Sequence, residues 1–540
     1  MSSSDMGPIE EFRDEVEPVI FAFGAGITLL FVAVFALAPE TAATVVSGAN
    51  QFVLAHFNWA FLVIMLFFLL FLFFLILGPW GSLRFGDESP EFSFFSYFTM
   101  MYSAGLAAGI VFWGPAEALI HYANVPPLYG GVAAESTAAM PIAVQYAVFH
   151  WGLTQWACFT VMGLGIGYYV YNYDAPLRVS SVLTPFIGAD NIKDSYWAKA
   201  IDILAVFATL GGVATSLGFI GSQFLTGLEF QWGIQMGNIG TFGVITGMTV
   251  LFTLSLVLGV DKGIRRLSNF NMVLFFVLMV ATLIVGPTFF ILQTSTDALG
   301  GFVSDFVAMS LFIDVANNGS WVNAWTVFYW AWPLAWSPFA GLFIARISRG
   351  RSVREVAFTG IGATAMATVP WFLILGSTGV WLQNTGGANL LGPINQYSEA
   401  VSGYVLYGAL PLGSLLLIGF VVLVTTFFVT SADSSTLAVA MMTTGGKEHP
   451  STIIRAFWGA MLGAVASILM IIGGVDALQS AAIITGGPFA IVGVIAVIGL
   501  ARSFREQSGN ILLQEETVLF GTSRSSKQTD SGTRPEVNDD

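Results

Sequence analysis

The 540 residues are 55% hydrophobic and 10% charged and include 48 phenylalanines, too apolar a composition for a soluble chain of this length. A formal charge of −14 leaves no basic patch for nucleic acid, and a single cysteine, Cys158, excludes a disulfide framework or a thiolate metal cluster. No zinc, nucleophile or phosphate-loop pattern is present, which argues against an enzyme.

The chain opens on an acidic leader over 1–19, containing Glu10-Glu11-Phe12-Arg13-Asp14-Glu15. It lacks the basic start and cleavage site of a secretory signal, so the first apolar run, 20–37, is expected to stay as a helix. Crossing about 30 Å of hydrocarbon takes roughly 20 apolar residues. Further runs of that kind lie at 59–79, 92–120, 141–171, 200–223, 240–259, 270–292, 323–345, 356–382, 405–430, 454–473 and 481–501. The pattern predicts an all-α integral membrane protein with twelve transmembrane helices. With a cytoplasmic amino terminus, all 19 Lys and Arg residues fall in inner segments, which places both termini in the cytoplasm of a multi-pass cell-membrane protein. In the outer loop, 293–322, the residues Phe302, Phe306, Met309 and Phe312 recur at helical spacing. An interfacial helix is expected there, with a buried plug as the alternative.

Helix breakers cluster in the third span, at Ser103-Ala104-Gly105-Leu106-Ala107-Ala108-Gly109, and in the eighth, at Trp332-Pro333-Leu334-Ala335-Trp336-Ser337-Pro338. Each stands first in a set of five spans, 3–7 (92–292) and 8–12 (323–501), after two peripheral spans within 20–91. An odd number of spans per set inverts the second against the first, and helices interrupted at corresponding places can form a site at mid-membrane. Glycines that only permit close helix packing are the alternative.

Trp151, Trp156 and Phe159 fall within about two helical turns inside an apolar span and can line one cavity. A quaternary ammonium against several ring faces gains roughly 0.5–2 kcal/mol per contact, without any carboxylate. Plain packing accounts for such rings equally well. Trp325 to Phe339 is a second aromatic stretch. The hydroxyl-rich segment Thr425 to Thr436 suits either a sodium site or ordinary hydroxyl-to-helix bonds. Glu117 and Asp202 are acids near span ends, with a functional or a capping role open to each. His150 suits a proton relay or, more simply, a satisfied bundle histidine.

Taken together, these segments resemble the betaine/carnitine/choline transporter family from about Glu17 to about Arg505. The resemblance rests on Phe328-Tyr329-Trp330-Ala331-Trp332-Pro333-Leu334-Ala335-Trp336-Ser337-Pro338-Phe339 running on to Ser352. It rests also on His150-Trp151 with Trp156, on Leu267-Ser268-Asn269-Phe270-Asn271-Met272, and on Thr430-Ser431-Ala432-Asp433-Ser434. It implies a LeuT-like fold with an inverted five-helix repeat, sodium-coupled symport of betaine or a related trimethylammonium zwitterion for osmoprotectant uptake, and a homotrimer. The implied substrate site comprises Trp151, Trp156, Phe159, Trp332, Pro333 and Trp336 with Ala104, Gly105, Leu106, Ala107 and Gly109. Gly109 is the choice associated with betaine, Asp there with choline. The implied sodium ligands are Ser103, Leu106, Phe427, Thr430 and Ser431 at a first site, and Thr209 and Phe339 at a second.

The chain departs from the family at three places. Val213 stands where the second ion site expects a threonine hydroxyl, and Pro333 where the family has another tryptophan. The tail 502–540 is not the basic one of osmosensing relatives. Sodium-independent exchange of ammonium solutes, or solute sensing without transport, are the competing readings. The first is disfavoured because spans 3, 5 and 10 hold no Lys or Arg to replace the ion.

Overall fold

A chain with so little charge can satisfy its backbone in lipid only by closing hydrogen bonds within each segment. The computed structural model describes residues 8–103, 107–257, 261–447 and 449–508, and among them every long element is a helix. Eight of the described helices are long and apolar enough to cross a membrane: Pro18–Leu37, Pro39–Leu77, Tyr196–Trp232, Ser320–Ile347, Val353–Asn384, Gly413–Thr443, Thr452–Ile471 and Asp476–Gln507. A bent pair, Asn269–Val285 and Thr288–Leu311, raises the count to nine if taken as one span. Large apolar side chains such as Leu30, Leu70, Phe289 and Val303 stand outward, more than half exposed, where water would reject them and lipid would not.

Small residues bring the central helices together. A Cβ on Gly163 would lie 2.3 Å from Ile344 Cγ2, and one on Gly341 would lie 2.6 Å from Met162 Cβ. Leu153–Tyr173 therefore packs against Phe328–Ile347 at a separation only glycine permits.

The interruptions fall partly where the sequence places them and partly elsewhere. Described helix in the third span ends at Ser103, resumes over Ala107–Trp113, turns at Gly114, and continues as Glu117–Ala123. Ala104, Gly105 and Leu106 lie outside the described residues, as does the tail beyond 508. The eighth span is unbroken α-helix over Phe328–Ile347 through both prolines. Pro338 has no N–H for the Leu334 carbonyl, and the Ser337 hydroxyl donates to that oxygen instead, at 2.7 Å. The irregularity sits one turn earlier, in a π-helical stretch over Asn323–Val327. The fourth span, by contrast, is broken between Ala139–Trp151 and Leu153–Tyr173 at Gly152, whose ψ of −124° no helix contains. In the seventh, Gly286-Pro287 turns the chain by 109° into Thr288–Leu311, so the helix carrying Phe302 and Met309 starts before the expected loop and packs on Ala139–Trp151.

The basic segment after the eighth span is a structural staple. Arg351 donates to the Phe92 carbonyl at 2.5 Å and stands 4.4 Å over the Tyr97 ring, while Arg354 donates to the carbonyls of Ile76 and Gly78 at 2.7 and 2.8 Å. Gly350 adopts φ +75°, and a Cβ there would lie 2.5 Å from the Glu88 carbonyl oxygen, so this turn requires glycine.

Candidate functional site

The third span and the break in the fourth face one another across a set of buried aromatic rings. Trp151, the last residue before Gly152, is fully buried. Its ring lies flat on Phe372 (centroids 5.0 Å apart, 17° between planes) and edge-on to Tyr329 and Trp332 at 5.4 and 6.1 Å. Gly109 forms the floor of this group: a Cβ there would lie 2.7 Å from Cη2 of both Trp151 and Trp332. Trp332 is held by its own Nε1–H donating to the Gly212 carbonyl at 3.2 Å and by stacking on Phe328. It thus faces Trp151 across the third span even though Pro333, its buried neighbour, brings no ring.

Trp156 and Phe159 belong to a second group. Trp156 stacks on Tyr102 at 5.7 Å and meets Phe159 edge-on at 6.0 Å. Trp336 pairs with Phe339 at 5.6 Å, and Gly212 makes room for its indole. The three residues read as lining one cavity are therefore distributed along the chain axis, Trp156 and Phe159 on the side of Tyr102, before the 104–106 stretch, and Trp151 on the side of Gly109, after it. Within the described residues the Nε1–H groups of Trp156 and Trp336 are buried without a hydrogen-bond partner.

The candidate ion ligands are partly assembled. Thr430 Oγ1 accepts from Asn271 Nδ2 at 3.1 Å and lies 3.2 Å from the Phe427 carbonyl oxygen, so the hydroxyl and the backbone oxygen stand together. Ala107–Trp113 packs against this helix. Ser431 is half-buried on the same turn, Leu106 lies outside the described residues, and Ser103 marks the end of its helix. At the second site the Thr209 hydroxyl is turned to Met442 Sδ at 3.8 Å, and Val213 is fully buried. Val213 brings no second hydroxyl to accompany Thr209.

The acids resolve differently. Asp202 accepts from the Ser180 N–H and hydroxyl at 2.9 and 2.8 Å, a local structural role. Glu117 is fully buried rather than solvated. Its Oε1 lies 2.6 Å from His150 Nδ1 and 3.2 Å from His121 Nε2, and its Oε2 accepts the Trp151 Nε1–H at 2.5 Å. His150 is thereby a satisfied bundle histidine, its Nε2 lying 3.1 Å from Thr326 Oγ1. Sequence reasoning misses His121, for which the i, i+4 spacing from Glu117 is the available signal.

Long apolar helices, interrupted where the aromatic rings gather, define a multi-pass membrane protein with a buried aromatic centre. Residues 19–509 match the family model described as BCCT, betaine/carnitine/choline family transporter, and the chain belongs to that family. It is 38% identical over 487 residues to the glycine betaine transporter OpuD of Bacillus subtilis (strain 168), covering 89% of this chain and 93% of that one. It is 35% identical to the ectoine/hydroxyectoine transporter of Virgibacillus pantothenticus, over 89% of this chain and 95% of the relative. It is 34% identical to glycine betaine transporter 1 of Vibrio parahaemolyticus serotype O3:K6, over 92% and 96% respectively. The protein is a membrane transporter and not an enzyme.

Proposed function

We propose that this transporter imports glycine betaine or a closely related zwitterion by sodium-coupled symport. The observation that carries the reading is the meeting of Trp151 and Trp332, both buried, over Gly109 in the third span. Electronegative ring faces in a desolvated setting suit an onium group, and glycine admits the solute to the backbone. Trp156 and Phe159, with Trp336 from the eighth span, form the other side. The solute carboxylate then falls to backbone amides of the 104–107 stretch and to the unpartnered indole N–H groups of Trp156 and Trp336. Thr430, Ser431 and the backbone oxygens of Phe427, Ser103 and Leu106 hold one sodium ion. Thr209 and Phe339 lack the partner hydroxyl for a second.

In this reading the interrupted segments over 94–123 and 139–173, the bent seventh span and Asn238–Val257 complete twelve spans with an inverted five-helix repeat. The 346–354 staple and both termini are cytoplasmic, and the chain assembles as a homotrimer. Uptake of labelled betaine into proteoliposomes, with an inward sodium gradient and with potassium in its place, tests the coupling. Equal uptake in both overturns it. The similarity to an ectoine transporter and the missing ring at Pro333 widen the candidate solutes to cyclic zwitterions. A thermal-stabilisation panel of betaine, ectoine, choline, carnitine and dimethylsulfoniopropionate, each with sodium and with potassium, orders them.

A further inference from the structure

Within the described bundle Glu117, His121 and His150 form a fully buried polar cluster in which one ligand atom from each lies within 4.8 Å of the others. Two ligands sharing one tetrahedral ion at about 2.1 Å each would stand roughly 3.4 Å apart. The 2.6 Å between Glu117 Oε1 and His150 Nδ1 is instead a hydrogen-bond distance. Three side chains reach the carboxyl oxygens within hydrogen-bond distance. His150 Nδ1 and His121 Nε2 face Oε1, Trp151 Nε1–H donates to Oε2, and Thr326 Oγ1 lies 3.1 Å from His150 Nε2. One carboxylate thereby joins the helices Glu117–Ala123 and Ala139–Trp151 to the start of the eighth span.

We infer that Glu117 is a positioning residue for the solute site, holding the Trp151 indole by its N–H so that the opposite edge of the ring meets Gly109 and Trp332. The indole is tethered at its five-membered ring, while Cη2, at the far edge, reaches Gly109. The helix stops at Gly152, so backbone regularity beyond Trp151 does not hold the ring. Phe372 supports one face only. Without the tether the indole samples rotamers that do not face the onium group, and apparent affinity falls by the fraction of time lost. The carboxyl group is taken up by His150, His121 and Trp151 and is not the counter-ion of the solute. The inference rests on the reading of Trp151 as a wall of the site.

The test replaces Trp151 by 3-benzothienylalanine, which keeps both rings and exchanges the N–H for sulfur, and compares it with Glu117→Leu, Glu117→Gln and Trp151→Ala. The benzothienyl variant is expected to raise the betaine Kd about tenfold, the loss of one hydrogen bond to a buried carboxyl group. Glu117→Gln should stay within about threefold of the native Kd, because its amide oxygen can take the indole N–H while His150 changes tautomer. Glu117→Leu added to the benzothienyl background should raise the Kd less than about threefold further, since both act on one bond. A benzothienyl variant that binds like the native protein overturns the inference, as do independent, multiplying effects of the two changes. The benzothienyl arm leaves Glu117 in place and so does not depend on Glu117→Leu folding. If Trp151→Ala also binds normally, Trp151 is no wall and the proposed site fails. If only Trp151→Ala loses binding, the site stands and the tether alone is refuted.

Discussion

Gly109→Ala is the sharpest single test of the site. The new Cβ would lie 2.7 Å from Cη2 of Trp151 and 2.7 Å from Cη2 of Trp332, about 1 Å inside ordinary carbon contact. Residue 109 is helical, so alanine gains about 1 kcal/mol of helix propensity. Overpacking costs roughly 1–3 kcal/mol, which leaves a net cost of about 0–2 kcal/mol in fold stability. The site has no such compensation, because both rings must retreat to admit the methyl. Each retreating ring gives up roughly 1 kcal/mol of attraction to the onium group, and the betaine Kd rises about thirtyfold. Betaine titration of the purified protein by tryptophan fluorescence, with melting temperature followed in parallel, reads both quantities. A Kd within about threefold of native refutes the placement of Gly109 in the site. Should melting fall while binding holds, Gly109 is a packing glycine and nothing more.

The ion sites and the staple give three further predictions. Thr430→Val removes the hydroxyl that faces Asn271 and Phe427, and the sodium concentration for half-maximal uptake should rise at least about tenfold; a superimposable sodium activation curve rejects the first ion site. Thr209→Val should leave that curve and its Hill coefficient unchanged, because the hydroxyl faces the Met442 sulfur and Val213 brings none; a marked shift would restore the two-ion reading. Gly350→Ala puts a Cβ 2.5 Å from the Glu88 carbonyl at φ +75° and should cost about 1–3 kcal/mol, seen as a lower melting temperature in detergent with unchanged betaine KM. An unaltered melting temperature would mean that the staple contributes nothing to the fold.

Hydropathy, charge and motif are enough to read a multi-pass helical membrane protein of this family, since run length against bilayer thickness is a property of the chain alone. The glycines that punctuate an otherwise apolar third span also mark Gly109, where the rings of Trp151 and Trp332 come close to the backbone. Other features are decided by contacts between residues far apart in sequence. The eighth span runs helical through Pro333 and Pro338 because the Ser337 hydroxyl and a preceding π-turn absorb the irregularity, which no local propensity for proline reveals. The fourth span breaks at Gly152, a single glycine in an apolar run that reads equally well as helix. Trp151 and Trp156 lie five residues apart, and the break between them sends one ring to Gly109 and the other to Tyr102. In sequence Glu117 is an acid near a helix end, with a functional or a capping role open to it. His121 reaches the carboxylate along the same helix, but only the packing of Ala139–Trp151 on Glu117–Ala123 brings His150 and the Trp151 N–H to it, because hydropathy reports how much a residue costs to bury and a fold determines what it is buried against.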